Sequence, residues 1–287
     1  MKIEKMGSTK RRDQIDTLRT IIWYSYIEMN FANSTNYKIE KVIEPESFRK
    51  SEAGNYFHSN KWTKYKVGKH TPGNKLISKA NQHVKGTAKI INHIVWEAIR
   101  GHKSLKWFME EGVYQLSWDV QRIIFKSVND QNELISVLHV RKDLRRLERL
   151  ASMDALAALI IFLRIADDQN QRKIALSIGH SIYRILLVMC VFLPLAKFRY
   201  ELVYLIYLYV FPLCQSEMKK FDRNDVDKFY DNSCKLNYIL LEAEDENIID
   251  LESEGMGISK KMYTNFLFDI LDGKRGLEMI REFSPSL

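Results

Sequence analysis

The stretch Lys61-Trp62-Thr63-Lys64-Tyr65-Lys66-Val67-Gly68-Lys69-His70-Thr71-Pro72 decides how this chain is read. Trp62 and Tyr65 stand three apart, the spacing that places two side chains on one face of a helix. Gly68 follows as a stop, because glycine enters the left-handed conformation without a steric penalty. Ser59 or Asn60 supplies cap chemistry at the front. Thr71-Pro72 opens the next segment, in which Leu76, Ile77, Ala80 and Val84 form an apolar stripe that ends at Gly86. A helix, a glycine turn and a second helix are expected over residues 59–86.

Outward from this stretch the helical period continues. Leu18, Ile21, Ile22, Tyr26 and Met29 fall on one face, and Asn33-Ser34-Thr35 can cap a short helix bearing Tyr37, Ile39 and Val42 that stops near Pro45. Ile90, Ile91, Ile94, Val95 and Ile99 carry the pattern to Gly101. Longer helices are expected over residues 118–128, 134–166, 172–193, 200–210, 225–241 and 259–283. The polar side of the second of these carries Arg141-Lys142-Asp143-Leu144-Arg145-Arg146. No period-2 alternation with turn signals demands a sheet, and no fixed-period repeat is evident. The fold class is all-α.

Composition excludes several classes. With 14 Phe, 14 Tyr and 5 Trp among 287 residues the chain has too many aromatics to stay solvated. Three widely spaced cysteines, Cys190, Cys214 and Cys234, cannot build a disulfide framework and point to a reducing cytoplasm. Residues 185–196 and 202–213 are apolar runs of about a dozen residues, short of the roughly 20 that span a bilayer. Pro194 and Pro212 stand at their ends, and His180 and Arg184 precede the first. A buried antiparallel pair in a helical domain is expected there instead of membrane insertion.

Catalytic signatures are missing. There is no GxGxxG, GxxxxGK[ST], HExxH or GxSxG, and no Cys/His cluster at zinc spacing. Asp167-Asp168 reads as an ordinary acidic helix end and His180 as a core histidine. No catalytic residue, metal ligand or cofactor is expected; the missing motifs lean against an enzyme and leave open one whose site is assembled from scattered residues.

Charge is informative once it is located. The first 106 residues carry 21 basic and 9 acidic residues, a net of +12, whereas the remaining 181 carry a net of −4. Residues 49–106 alone hold 13 basic residues against Glu52 and Glu97, with five of the seven histidines. Such a concentration is the electrostatic footprint of a polyanion partner, and mild acid would strengthen it. Residues 242–254, with seven acids and no base, are the opposite extreme.

The 61–72 stretch resembles the end of the recognition helix in Cro/repressor-type (XRE-like) helix-turn-helix domains. There a core pair precedes a turn glycine, a basic residue and a proline that starts the next helix. Here Trp62 and Tyr65 match the pair, Gly68 the turn, Lys69 the basic residue and Pro72 the helix starter. The resemblance covers at most residues 15–100 and departs at residues 43–58, longer than the family's tight turn. Either the docking geometry differs or an extra element is inserted there.

The resemblance implies a basic helix-turn-helix-like domain over residues 15–106, after a flexible basic lead-in at 1–14. Residues 107–287 follow as an all-α oligomerisation or regulatory domain. With Trp62 and Tyr65 inward, Ser59, Asn60, Lys61, Thr63 and Lys64 face outward for base edges. Lys66, Lys69, His70, Lys75 and Lys79 are placed for phosphates. The implied partner is nucleic acid, DNA in preference to RNA, with the chain acting as a homo-oligomer. The alternative is a non-enzymatic effector or interaction subunit of a mobile-element or antiviral defence system. Its basic segment would grip RNA, DNA or a protein.

Overall fold

The structure, a computed structural model, describes residues 12–32, 34–50, 56–57, 60–128, 131–134, 141–214, 223–246, 248–249 and 258–273. It is all-α, with extended backbone confined to two short antiparallel ladders among the described residues. The chain divides into two compact units, residues 1–92 and 93–287. The division therefore falls before the 106/107 boundary expected from charge.

In the first unit α1 (Gln14–Asn30) is started by Asp13, whose carboxylate accepts from the backbone N–H of Ile15 and Asp16. Thr35 caps α2 (Asn36–Ile43) in the same way through the N–H of Lys38. Ile39, Glu40 and Ile43 are the buried residues of that helix, while Val42 is exposed and Tyr37 stacks edge-on against Phe48 at 5.0 Å. A 3-10 turn, Pro45–Ser47, and a ladder pairing β1 (Arg49–Lys50) with β2 (Tyr56–Phe57) fill the long interval before the next helix. Then come α3 (Lys61–Lys66), α4 (Asn74–His83) and α5 (Thr87–Ile91).

The core of this unit is aromatic. Trp23 of α1 stacks on Trp62 at 5.8 Å and 23°, and Tyr65 meets both rings edge-on at 5.9 and 6.0 Å. Such pairs add about 0.5–1.5 kcal/mol each beyond the area they bury. Ile39, Leu76, Ile77, Ala80 and Ile91 close the cluster.

The helix expected to run on through residues 90–99 breaks at Asn92-His93. His93 is the reason: its Nδ1 accepts the Val95 N–H and starts α6 (Ile94–Arg100), while its Nε2 lies 3.1 Å from the buried carboxylate of Asp154.

In the second unit α6 ends at Gly101 in the left-handed region. The chain then passes through α7 (Leu105–Trp107), a π turn at Phe108–Gly112 and a 3-10 turn at Val113–Gln115. The helix expected over 118–128 stops early: α8 is Trp118–Ile124, and β3 (Phe125–Val128) pairs with β4 (Gln131–Leu134). The segment expected as one or two helices over 134–166 is α9 (Arg141–Leu150) and α10 (Met153–Asp168).

Almost all of α10 is buried, as a helix apolar on every side must be. It packs against α6, α8, α9 and α11 (Arg172–Met189). Its one arginine, Arg164, donates to the carbonyls of Ala98 and Ile99 at 2.8 and 2.9 Å, satisfying the end of α6. A Cβ on Gly101 would overlap that guanidinium.

Two further helices, α12 (Arg199–Tyr209) and α13 (Arg223–Asp245), pack on each other, and α14 (Ile258–Leu271) packs on α9, α11 and α13. Most of the two apolar runs is buried, with Leu193, Tyr204, Leu208 and Tyr209 exposed, and α11 packs chiefly on α10 and α12 on α13 rather than the two helices on each other. No helix among the described residues is long and apolar enough to cross a membrane. The three cysteines are free thiols, and burial pushes Cys190 and Cys214 up to about 12.

Gly68 lies in the left-handed region, and a Cβ there would come within 2.7 Å of Thr17 Cγ2 and 2.9 Å of the Thr17 carbonyl. Gly68→Ala is expected to destabilise the first unit by about 2–4 kcal/mol, from the left-handed penalty and overpacking together. Gly73→Ala, with no atom within 4 Å of the new methyl, costs under about 1 kcal/mol. Urea unfolding followed by tryptophan fluorescence measures both.

Candidate nucleic-acid interface

The turn from α3 to α4 is a Schellman motif. The Lys69 N–H donates to the Lys64 carbonyl at 2.8 Å and the Gly68 N–H to the Tyr65 carbonyl at 2.9 Å. Arg12 clamps it from outside. Its guanidinium donates to the Gly68 carbonyl, to Thr71 Oγ1 at 2.6 Å, and to the Asp16 carbonyl and Thr20 Oγ1 at 3.2 Å. One residue of the expected flexible lead-in therefore anchors the turn, while residues 1–11 lie outside the described ones.

Trp62 and Tyr65 are buried as expected, and burial, with Glu44 and Glu40 nearby, raises the Tyr65 phenol. Pro72 is also buried, but it does not begin the helix: α4 starts at Asn74 with Gly73 at its N-cap, and no side chain caps that end. Nor does Asn60 cap α3. It sits at φ +49°, and its Oδ1 accepts from the Thr63 hydroxyl at 2.7 Å instead. Ser59 lies outside the described residues.

The residues expected to read bases are mostly occupied. Thr63 Oγ1 accepts from Asn36 Nδ2 at 3.0 Å, and Asn36 Oδ1 accepts from the Tyr24 hydroxyl, which also faces Glu28 at 3.3 Å. Asn60 therefore spends its acceptor inside a network that runs back to α1, and a bidentate amide contact to adenine would have to break it. Lys61 donates to Glu44 at 2.6 Å. The other oxygen of Glu44 accepts the Trp62 indole N–H at 3.1 Å.

Among the phosphate candidates, Lys66 pairs with Glu28 at 2.7 Å and Lys79 with Glu46. The three glutamates are 17, 38 and 33 residues from the lysines they hold, so no local spacing announces them. Lys64, Lys69, His70 and Lys75 are exposed and form no ion pair with a described residue.

What stands out toward solvent is therefore a compact set of cations around one rigid turn. The helix that carries Lys64 is six residues, roughly 9 Å, long. It is suited to gripping a backbone more than to reading several base pairs. Among the described residues no three His, Cys, Asp or Glu side chains converge as a metal site. No family model, curated protein or solved structure matches this chain.

Glu44 is the buried hinge of the arrangement. Glu44→Ala is expected to cost about 1–3 kcal/mol, because it leaves the Trp62 indole N–H without an acceptor in the core. Glu44→Gln keeps an acceptor and costs less. Thermal unfolding of the two variants against the parent chain separates these outcomes.

Proposed function

We propose that the first unit binds DNA through the α3–α4 turn, with Lys64, Lys69 and Lys75 on phosphates and His70 beside them. The observation that carries this reading is the set of exposed cations, unpaired with any described carboxylate, on a turn locked by Gly68 and Arg12. Net charge supports it: residues 1–92 hold 18 basic and 8 acidic residues, a net of +10, which raises the local concentration of a polyanion. The uncapped N-terminus of α4 adds leading N–H groups beside Lys75, a geometry that favours phosphate.

The likeness of residues 61–72 to Cro/repressor-type domains supplies the choice of duplex DNA over RNA. It also supplies the expectation of a dimer on paired half-sites. Exposed Tyr204 and Leu208 of α12 and Tyr230, Tyr238 and Leu241 of α13 offer apolar surface for such self-association. Free thiols fit a reducing cytoplasm.

Three lysine–phosphate contacts give a log–log salt slope of about −3, at roughly −0.9 per phosphate. Fluorescent-duplex titrations across salt concentrations test this. Lys64→Glu/Lys69→Glu is expected to weaken binding at least tenfold at low salt. Lys173→Glu/Lys228→Glu, a control in the second unit, is expected to stay within about twofold. No binding by the parent chain at low salt, or an equal loss in both variants, refutes the proposal.

A further inference from the structure

The second unit carries a polar cleft that DNA binding by the first unit does not use. Along α11, an otherwise apolar helix, Ser177, His180, Ser181 and Arg184 form one polar stripe at spacings of three, one and three. Along α9, Arg141, Leu144, Arg145 and Glu148 repeat those spacings. Both stripes line one cleft of about 440 Å³, together with Leu271 and Asp272 at the end of α14. That volume lies in the range of small-molecule sites, roughly 300–1,000 Å³.

The guanidinium groups in the cleft are of two kinds. Arg184 is held: it donates to Glu148 at 3.0 Å, to Asp272 at 2.6 Å and to the Leu271 carbonyl at 3.3 Å. It fastens α11 to α9 and α14, and a structural role accounts for it. Arg141 and Arg145 have no such account. Arg141 is exposed and pairs with no described residue. Arg145 comes no closer than 3.9 Å to Asp272, whose carboxylate already serves Arg184 and, at 3.5 Å, Arg149.

Two cations one helical turn apart repel each other, and only a bound anion turns that repulsion into attraction. Arg141 and Arg145 also line an adjoining shelf with Lys142, Arg146 and Arg149, of which Arg146 is paired with Asp143 and Arg149 with Asp269 and Asp272.

We propose that this cleft binds a phosphorylated small molecule, with Arg141 and Arg145 gripping a phosphate monoester and Leu144 and Leu271 contacting its apolar part. The chemistry selects phosphate among anions. A monoester dianion answers the charge of Arg141 and of Arg145, whose contact with Asp272 is long at 3.9 Å, and its three terminal oxygens suit guanidinium forks. Ser181 and His180 add a hydroxyl and an imidazole at the same wall. Burial and the charge of Arg184 hold His180 below its usual range, so at neutral pH the ring is uncharged and offers a single N–H donor.

Isothermal titration of the full chain with AMP, glycerol 3-phosphate and inorganic phosphate, at low salt, tests the proposal. Saturable binding is expected. Arg141→Gln/Arg145→Gln should weaken it at least tenfold, and Arg141→Gln alone should weaken it measurably. Because Arg141 makes no pair with a described residue, its variant should unfold at the same temperature as the parent when no ligand is present.

Tighter binding of AMP or glycerol 3-phosphate than of inorganic phosphate assigns the cleft to an organic phosphate. No saturation by any of the three into the millimolar range, or undiminished binding by the double variant, overturns the proposal. The Lys64→Glu/Lys69→Glu chain should bind all three as the parent does, which keeps this site separate from the α3–α4 turn.

Discussion

Gly68 has no room for a side chain, and the first unit is organised around that fact. Its Cα rests against Thr17 and Ile21 of α1, so α3 must end there and the chain must turn away. The left-handed backbone lets two carbonyls at the end of α3 receive their N–H donors, and Arg12 takes the Gly68 carbonyl left outside. This close approach seats Trp62 on Trp23 and Tyr65 against both. It also sets the direction of every exposed cation from Lys64 to Lys75, because those side chains leave from the turn or from the helices it joins. Aromatic packing and surface electrostatics share one steric origin.

The same unit shows why a count of charges overstates what a partner can feel. Lys61, Lys66 and Lys79 belong to the basic run in sequence, but Glu44, Glu28 and Glu46 meet them in space. Glu44 and Glu28 are both largely buried, and a buried carboxylate is costly unless it is paired and hydrogen-bonded. The lysines supply that compensation at the edge of the core. Their charges are spent on the fold, and the outward field comes from the lysines with no carboxylate opposite them.

The second unit rests on a different constraint. α10 is apolar on every side and must be surrounded, which draws α6, α8, α9 and α11 around it. Each polar atom it brings inside is matched: Asp154 meets His93, and Arg164 satisfies the last turn of α6. Where α9 and α11 depart from apolar facing surfaces they form the guanidinium-lined cleft. Part of that polarity is an ion-pair network with Asp272, and part of it, Arg141, pairs with no described residue.

The amino-acid sequence by itself determined the all-α class, the burial of Trp62 and Tyr65, the turn at Gly68 and the burial of most of the two apolar runs. Each of these follows from local periodicity or from the φ that glycine permits. Tertiary structure alone decided the rest. The Asp154 carboxylate that meets His93 lies 61 residues away, Asn36 engages Thr63 from 27 residues away, and the glutamates that neutralise three lysines stand 17, 38 and 33 residues from them. A helical period says which face turns inward. Which carboxylate waits there depends on how the helices pack, and that is what separates a charge used for folding from one left for a partner.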